Sequence, residues 1–283
     1  MSRKKMVGAA LLTLGVLLLL VVFSGRPEDA LGRVRSAGVL RVGYAIEAPY
    51  AQLGADGRVT GESPELARLI AARAGLPAIE WVQTSFDQLI PQLQERRFDL
   101  IAAGMFVTRE RAGKLLFSEP TERVAAGLLQ RSDAPVPSSL QGLAAVPGLK
   151  LAVLSSSVEH QQARQAGLGD ARLVVVRDAV EGREAVQHGL AQALMLSLPT
   201  VRSLANVAGA APLLATPVAG GAEPGWVAFE FHLEDSQLQR HWNKAQAEVV
   251  GSPEHRALMQ RFGFAPEDLP GPVTLAKLLA PAS

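Results

Sequence analysis

Phe98-Asp99-Leu100-Ile101-Ala102-Ala103-Gly104-Met105-Phe106-Val107-Thr108-Arg109-Glu110-Arg111-Ala112-Gly113-Lys114-Leu115-Leu116-Phe117-Ser118 combines a short apolar run, a glycine break and a charged loop. The run from Leu100 to Ala103 reads as a buried strand. It breaks at Gly104 into a loop that carries one aromatic residue, Phe106, and two arginines, Arg109 and Arg111. Open α/β folds collect ligands at the carboxyl ends of their buried strands. Arginine presents a flat donor fork that grips a carboxylate at two points. The segment therefore reads as part of a receptor for a small carboxylate.

On the amino-terminal side of this segment, strand-like and helix-like patterns alternate. Val39–Tyr44 reads as a strand, Pro64–Ala74 as a helix, Ile79–Val82 as a strand and Phe86–Glu95 as a helix. Such alternation predicts parallel βαβ units. Asp56-Gly57 marks a turn, and Ser63 before Pro64, with Glu65 in the first turn, marks a helix start. On the other side the composition breaks at Ser132–Ser139, and the pattern restarts. Strands are expected at Leu151–Leu154, Ala171–Val176 and Ala193–Leu196, with helices at Val158–Ala166, Arg183–His188 and Pro199–Asn206. Trp226–Phe231 alternates enough for one more strand, and Ser236–Val250 and Glu254–Arg261 read as helices. Two similar α/β halves predict two lobes with a cleft between them.

At 283 residues and 48% hydrophobic, the chain has material for one large domain or two lobes. The balance of 28 basic against 27 acidic residues gives no footprint for nucleic acid. Arg3, Lys4 and Lys5 precede an uncharged 17-residue run, Val7–Phe23, and no acid lies before Glu28. That layout predicts an export signal over residues 1–24, ending at Ser24, or an uncleaved membrane anchor that leaves the domain outside. Removal of that segment takes away three basic residues and leaves the remainder slightly acidic. With no cysteine there is no disulfide, thiolate metal site or lipid-modified cysteine.

The five histidines show no zinc-ligand spacing, and the chain has no nucleophile elbow, no phosphate loop and no dinucleotide fingerprint. No catalytic residue, metal or cofactor is expected. Ligand-site candidates come instead from the strand ends. Glu47 and Tyr50 follow the first strand, Phe86 opens the helix after the second, and Phe106 and Arg111 follow the third. Consecutive strands of a βαβ sheet point the same way, so all of these reach one rim. Phe86 alone also fits a core position, Phe106 fits core and site equally, and Arg109 fits solvent.

Ile90-Pro91-Gln92-Leu93-Gln94, Phe98-Asp99, Gly104–Arg111 and Phe117-Ser118-Glu119-Pro120 resemble the periplasmic solute-binding proteins of polar amino-acid ABC transporters. The similarity spans nearly all of Val39–Pro270. Ile101–Phe106, the tail Phe262-Gly263-Phe264 with Leu269-Pro270, and the spacing of Glu47, Tyr50, Phe86, Phe106 and Arg111 look most like ectoine- and hydroxyectoine-binding subunits. The resemblance implies an aromatic box of Tyr50, Phe86 and Phe106 around a delocalised cation, with Glu47 as acidic partner and Arg111 on the ligand carboxylate. Aromatic faces suit a weakly hydrated cation. Family members that bind amino acids carry a Gly-Thr-like pair after the first strand of the second lobe. Here the stretch is Ser155-Ser156-Ser157-Val158, so Ser157 is either a ligand donor or a plain helix cap. They also place an aspartate near Ser197, and serine supplies no such charge. The expected ligand is therefore a small zwitterion with a spread cation.

The resemblance implies a two-lobed α/β fold of the type II periplasmic-binding-protein class, with two parallel-rich sheets flanked by helices. Residues 31–125 and 217–278 would form lobe 1 and residues 128–214 lobe 2. Two crossings, near Val124–Leu129 and Ala215–Gly220, would be the hinge. The implied function is capture of a zwitterionic solute, as a periplasmic monomer, for an inner-membrane ABC permease. Rival readings are a polar amino-acid receptor, a dehydratase on the same fold with Glu47 as its acid, and a sensor domain.

Overall fold

The computed structural model describes residues 30–207, 212–220 and 224–281. The export-signal reading of residues 1–24 lies outside them. Among the described residues, no helix is long and apolar enough to cross a membrane.

The strands arise from short apolar runs cut by glycine or polar residues. In chain order they are β1 (Val39–Tyr44), β2 (Gln52–Leu53), β3 (Val59–Thr60), β4 (Ala78–Gln83), β5 (Leu100–Ile101), β6 (Leu116–Phe117) and β7 (Glu122–Val124). They continue as β8 (Ala126–Arg131), β9 (Leu151–Leu154), β10 (Leu173–Val176), β11 (Ala193–Ser197), β12 (Leu213–Pro217), β13 (Gly225–Val227) and β14 (Glu230–Phe231). One lobe carries the sheet β4-β1-β5-β14-β6, and the other carries β10-β9-β11-β8-β12. Strand β1 runs parallel to β4, with Val39 opposite Ala78 and Tyr44 opposite Gln83, and parallel to β5 on its other edge. Likewise β9 runs parallel to β10 and β11.

Each sheet is thus parallel where the βα alternation predicts it. The remaining pairings are antiparallel: β14 with β5 and β6, and β8 with β11 and β12. These strands enter their sheets next to the points where the chain changes lobe. The chain passes from the first lobe to the second between β7 and β8, and returns between β12 and β13. There β7 and β13 pair antiparallel, with Trp226 opposite Arg123 and the Arg123 guanidinium 5.6 Å from the centre of the indole ring.

Helices cover the sheets. In the first lobe Trp242, on the helix Ser236–Val249, is fully buried and meets Phe229 and Phe231 edge-on at 5.0 and 6.0 Å. Its indole N–H donates to Gln246 Oε1 at 3.1 Å, so the polar end of the ring is satisfied. On the opposite face of the sheet Phe98 lies on the bare backbone of Gly43, where a Cβ would come within 2.6 Å of the ring.

Three local expectations shift. The helix expected from Pro64 begins at Glu62 with Gly61 as its N-cap, because the Ser63 hydroxyl donates to Glu62 at 3.0 Å and does not cap. Strand β5 spans only Leu100–Ile101, although the Ala102 N–H still bonds Gly43 O at 2.9 Å. Trp226–Phe231 splits into β13 and β14, since the first half pairs at the lobe crossing and the second enters the sheet.

Truncating a fully buried indole removes its transfer energy and leaves a cavity. Trp242→Ala should lower the unfolding free energy by about 3–5 kcal/mol. Urea denaturation checks this, and a loss below about 1 kcal/mol would show that the core collapses around the gap.

Candidate functional site

The loop after β1 turns back on itself through a pair of backbone bonds, Glu47 N–H to Ala51 O at 2.9 Å and Ala51 N–H to Glu47 O at 3.0 Å. This directs Glu47 and Tyr50 to the rim of the sheet. Gly104, at φ 66°, ends the segment after β5, and a Cβ there would strike the Tyr50 ring. Only glycine gives both the left-handed turn and the close approach. A single turn of 3-10 helix, Phe86–Gln88, holds Phe86 after β4. Phe106 is pinned by the Val107 N–H bond to Trp226 O at 2.7 Å. Arg111 is not in an open loop: it lies on a short helix, Arg109–Ala112, capped by Thr108 Oγ1, which accepts from the Arg111 N–H at 3.1 Å.

The second lobe contributes two helix starts. Ser157 caps the helix Val158–Gln165 and accepts from the His160 N–H at 3.1 Å. Ser197 caps the helix Leu198–Ala205 and accepts from the Thr200 N–H at 3.3 Å. Glu47, Tyr50, Phe86, Phe106, Arg111, Ser157 and Ser197 all line one cavity, together with Gly104, Leu154, Val158, Glu159 and Leu196. The cavity measures about 20 Å³, room for roughly one water molecule. A solute of several heavy atoms enters only if the walls separate. A larger cleft of about 440 Å³ adjoins it, shares Glu47, Phe86 and Leu154, and is bordered by Gln83, Arg177 and Asp178.

Two contacts join the lobes across the site. The Arg111 guanidinium donates to Phe106 O at 2.8 Å and, across the cleft, to Ser156 O at 3.0 Å. Ser156 reaches that position with φ 62°, a left-handed conformation uncommon outside glycine. The Thr200 hydroxyl donates to Glu47 Oε1 at 2.8 Å and itself accepts from Ser197 at 2.9 Å. The Arg111 guanidinium also stands 5.7 Å from the centre of the Phe86 ring, so one face of that ring is covered by arginine. Tyr50 and Phe106 pack with Val124, Val227, Met259 and Phe264, so both rings serve the core and the cavity at once.

The electrostatics of the cavity are unbalanced. Arg111 is buried, and among the described residues it makes no ion pair. It feels the charges of Glu230, Glu159 and Glu110 at longer range, while burial lowers its pKa. Burial pushes the Glu47 carboxyl up to about 7, against the Thr200 hydrogen bond. Burial also raises Glu159, opposed by its own N–H and the Arg111 charge. Glu230, on β14 behind Arg111, is fully buried with neither carboxyl oxygen hydrogen-bonded, and it is raised well above the usual range.

Glu159, Thr200 and Glu230 were not among the residues singled out from the sequence. Each has a local signal. Glu159 sits two residues past a serine cap, Ser197-Leu198-Pro199-Thr200 is a capping turn, and Glu230 is a lone charge in an apolar run. Arg109, expected in solvent, is exposed, and its guanidinium reaches Ala280 O.

The sequence profile of the bacterial extracellular solute-binding proteins, family 3, matches residues 40–265. A probable amino-acid ABC transporter periplasmic-binding protein of Sinorhizobium fredii is 28% identical over 246 residues, which cover 84% of this chain and 81% of that protein. The crystal structure of EhuB in complex with hydroxyectoine superposes with a TM-score of 0.83 at 27% identity, over 90% of this chain and 100% of that one. The ancestral amino-acid-binding protein AncCDT-1, a precursor of cyclohexadienyl dehydratase, gives a TM-score of 0.73 at 25% identity, over 83% of this chain and 99% of that one. The two-lobed α/β fold, the cavity between the lobes and these likenesses agree: the chain belongs to the bacterial extracellular solute-binding proteins, family 3, and is a solute-binding protein of an ABC importer.

Proposed function

We propose that this protein captures a small zwitterion of the ectoine type between its lobes, in the periplasm, and delivers it to an inner-membrane permease. In this reading residues 1–24 direct export or tether the chain. Residues 31–125 and 217–278 move as one lobe against residues 128–214, and the protein acts as a monomer.

The observation that carries the reading is Arg111. A guanidinium has five donors, two of which are used here on carbonyl oxygens, and among the described residues no carboxylate forms an ion pair with it. A buried charge without a partner is costly, and a ligand carboxylate arriving through the adjoining cleft relieves that cost. Glu47 supplies the opposite charge for the ligand's cation, beside the rings of Tyr50, Phe86 and Phe106. The likeness to EhuB, whose structure holds hydroxyectoine, favours a cyclic spread cation. Ser197 favours the same ligand, since it brings no charge for a compact ammonium.

A polar amino acid is the second reading, favoured by the amino-acid-binding relatives. In either reading Ser157 caps its helix and turns its hydroxyl toward the ligand. Glu47 is the acid the dehydratase reading would use, and its Thr200 partner suits charge recognition as well as proton transfer. Binding without turnover is the simpler role.

Arg111→Lys keeps the charge and removes the fork, so affinity should fall by about 2 kcal/mol or more, read by titration calorimetry on unfolded and refolded protein. Wild-type affinity in the lysine variant would remove Arg111 from the site.

Ectoine or hydroxyectoine should bind at least about tenfold more tightly than glutamine, arginine or histidine, a gap of about 1.4 kcal/mol. Micromolar binding of a standard amino acid with none of either ectoine would overturn the ligand assignment.

Phe106→Ala should weaken ectoine binding by about 1–2 kcal/mol, the scale of a desolvated cation–π contact. Melting temperature measured alongside separates the two roles of the ring. A collapsed melting point with unchanged affinity would make Phe106 a core residue only.

A further inference from the structure

Three charged side chains line the cavity: Glu47, Arg111 and Glu159. Glu159 stands at the second position of its helix, is 4% exposed, and faces Arg111 from the opposite lobe. If Arg111 takes the ligand's carboxylate, as proposed above, a zwitterion brings one anion for one guanidinium and one cation for one acid. Glu47 lies beside the rings that receive the cation. Glu159 then stands next to an anion that occupies its cationic neighbour, Arg111, in a cavity otherwise lined on that side by Leu154, Val158 and Leu196.

The other groups around it do not restore the balance. Glu230 lies behind Arg111 and is itself an acid. Glu110 is held away by Lys114 at 2.8 Å and Gln161 at 3.1 Å. Arg177, at the mouth of the cleft with Asp178, is exposed and engaged by Glu181 at 3.2 Å. Glu62 and Glu122 lie behind Tyr50 and add negative charge only. Ser157, the cap of the same helix, hydrogen-bonds the Glu159 carboxyl, as does that residue's own N–H, but neither carries a charge.

A buried carboxylate whose cationic neighbour is claimed by another anion neutralises in preference to staying charged. As a neutral acid, Glu159 has an O–H to donate to the ligand's carboxylate, whereas the ionised form repels it. We propose that Glu159 is a ligand contact that acts as a neutral acid, so that its carboxyl takes up one proton when a zwitterion is captured. Burial already drives this carboxyl upward. A ligand that brings a second cation leaves Glu159 ionised and needs no proton, so the same residue sets which net charge the site accepts.

Proton uptake on binding means that affinity falls as pH rises, over the range where the open site is ionised and the closed one is not. Between about pH 5 and pH 7 the wild-type affinity for ectoine, taken relative to that of Glu159→Gln, whose amide donates at every pH, should fall several-fold per unit; Glu47, raised to about 7, titrates in both proteins and cancels in that ratio. Titration calorimetry at about pH 6 in phosphate and in bis-tris, buffers of different ionisation enthalpy, counts the protons. Wild type should take up about one proton more than Glu159→Gln, and the variant should bind as well as wild type at about pH 6 and more tightly at about pH 8. Equal proton counts, a wild-type-to-variant affinity ratio that does not change with pH, or a tenfold loss in the variant at both pH values would overturn the proposal. L-Glutamine serves as a second zwitterionic probe. If it binds and ectoine does not, the ectoine assignment fails while the proton count on glutamine still decides the role of Glu159. If neither binds, both fall.

Discussion

A guanidinium buried without a counter-ion is the constraint around which this molecule is arranged. Arg111 is held by two carbonyls, one from each lobe, and stacked over Phe86. Carbonyl dipoles solvate the cation without cancelling its charge, so a standing demand for an anion remains. Ser156 accepts a left-handed backbone to supply one of those carbonyls, which costs on the order of 1 kcal/mol. Glu159 and Glu230 sit close enough to feel the charge and are too buried to meet it as ordinary carboxylates.

Behind the cavity the interior stays acidic. Glu62 and Glu122 lie buried beneath Tyr50, with Nε2 of the buried His255 3.9 Å from Glu62, and Glu122 is pushed well up by burial and by Glu62. The Tyr50 hydroxyl lies near Ser197 of the other lobe, its one side-chain hydrogen-bonding neighbour among the described residues, and that contact is weak. The ring is placed by packing instead, between Phe264 on one side and the bare backbone of Gly104 on another. These rigid neighbours fix where the ring stands, without help from a long flexible side chain.

Much of this was legible in residue order. Strand ends carry ligand groups in open α/β sheets, so Glu47, Phe86, Phe106 and Arg111 announced themselves by position. Ser157 and Ser197 came instead from the family resemblance, as the residues standing where relatives place a Gly-Thr-like pair and an aspartate. Glu159 was hidden because one turn of helix separates a solvent-facing from a cleft-facing glutamate, and the sequence does not say which side the opposite lobe covers. Thr200 was hidden because its role depends on Glu47, 153 residues away. The antiparallel halves of the two sheets were hidden for a related reason: β14 and β8 pair with strands distant in the chain, and periodicity records only local order. The split of Trp226–Phe231 follows from the same long-range competition.

Trp226 sits at the place where the chain changes lobe, half-buried and stacked against Arg123, while Trp242 is sealed in the core and Trp81 lies on the outer strand of its sheet beside Arg68. The three indoles therefore stand in three different surroundings: the sealed core, the outer edge of one sheet and the strand pair beside the lobe crossing. Arg123 and Trp226 lie on paired strands, so a shift in the emission of that one indole would register a change at the crossing itself, with no dye attached.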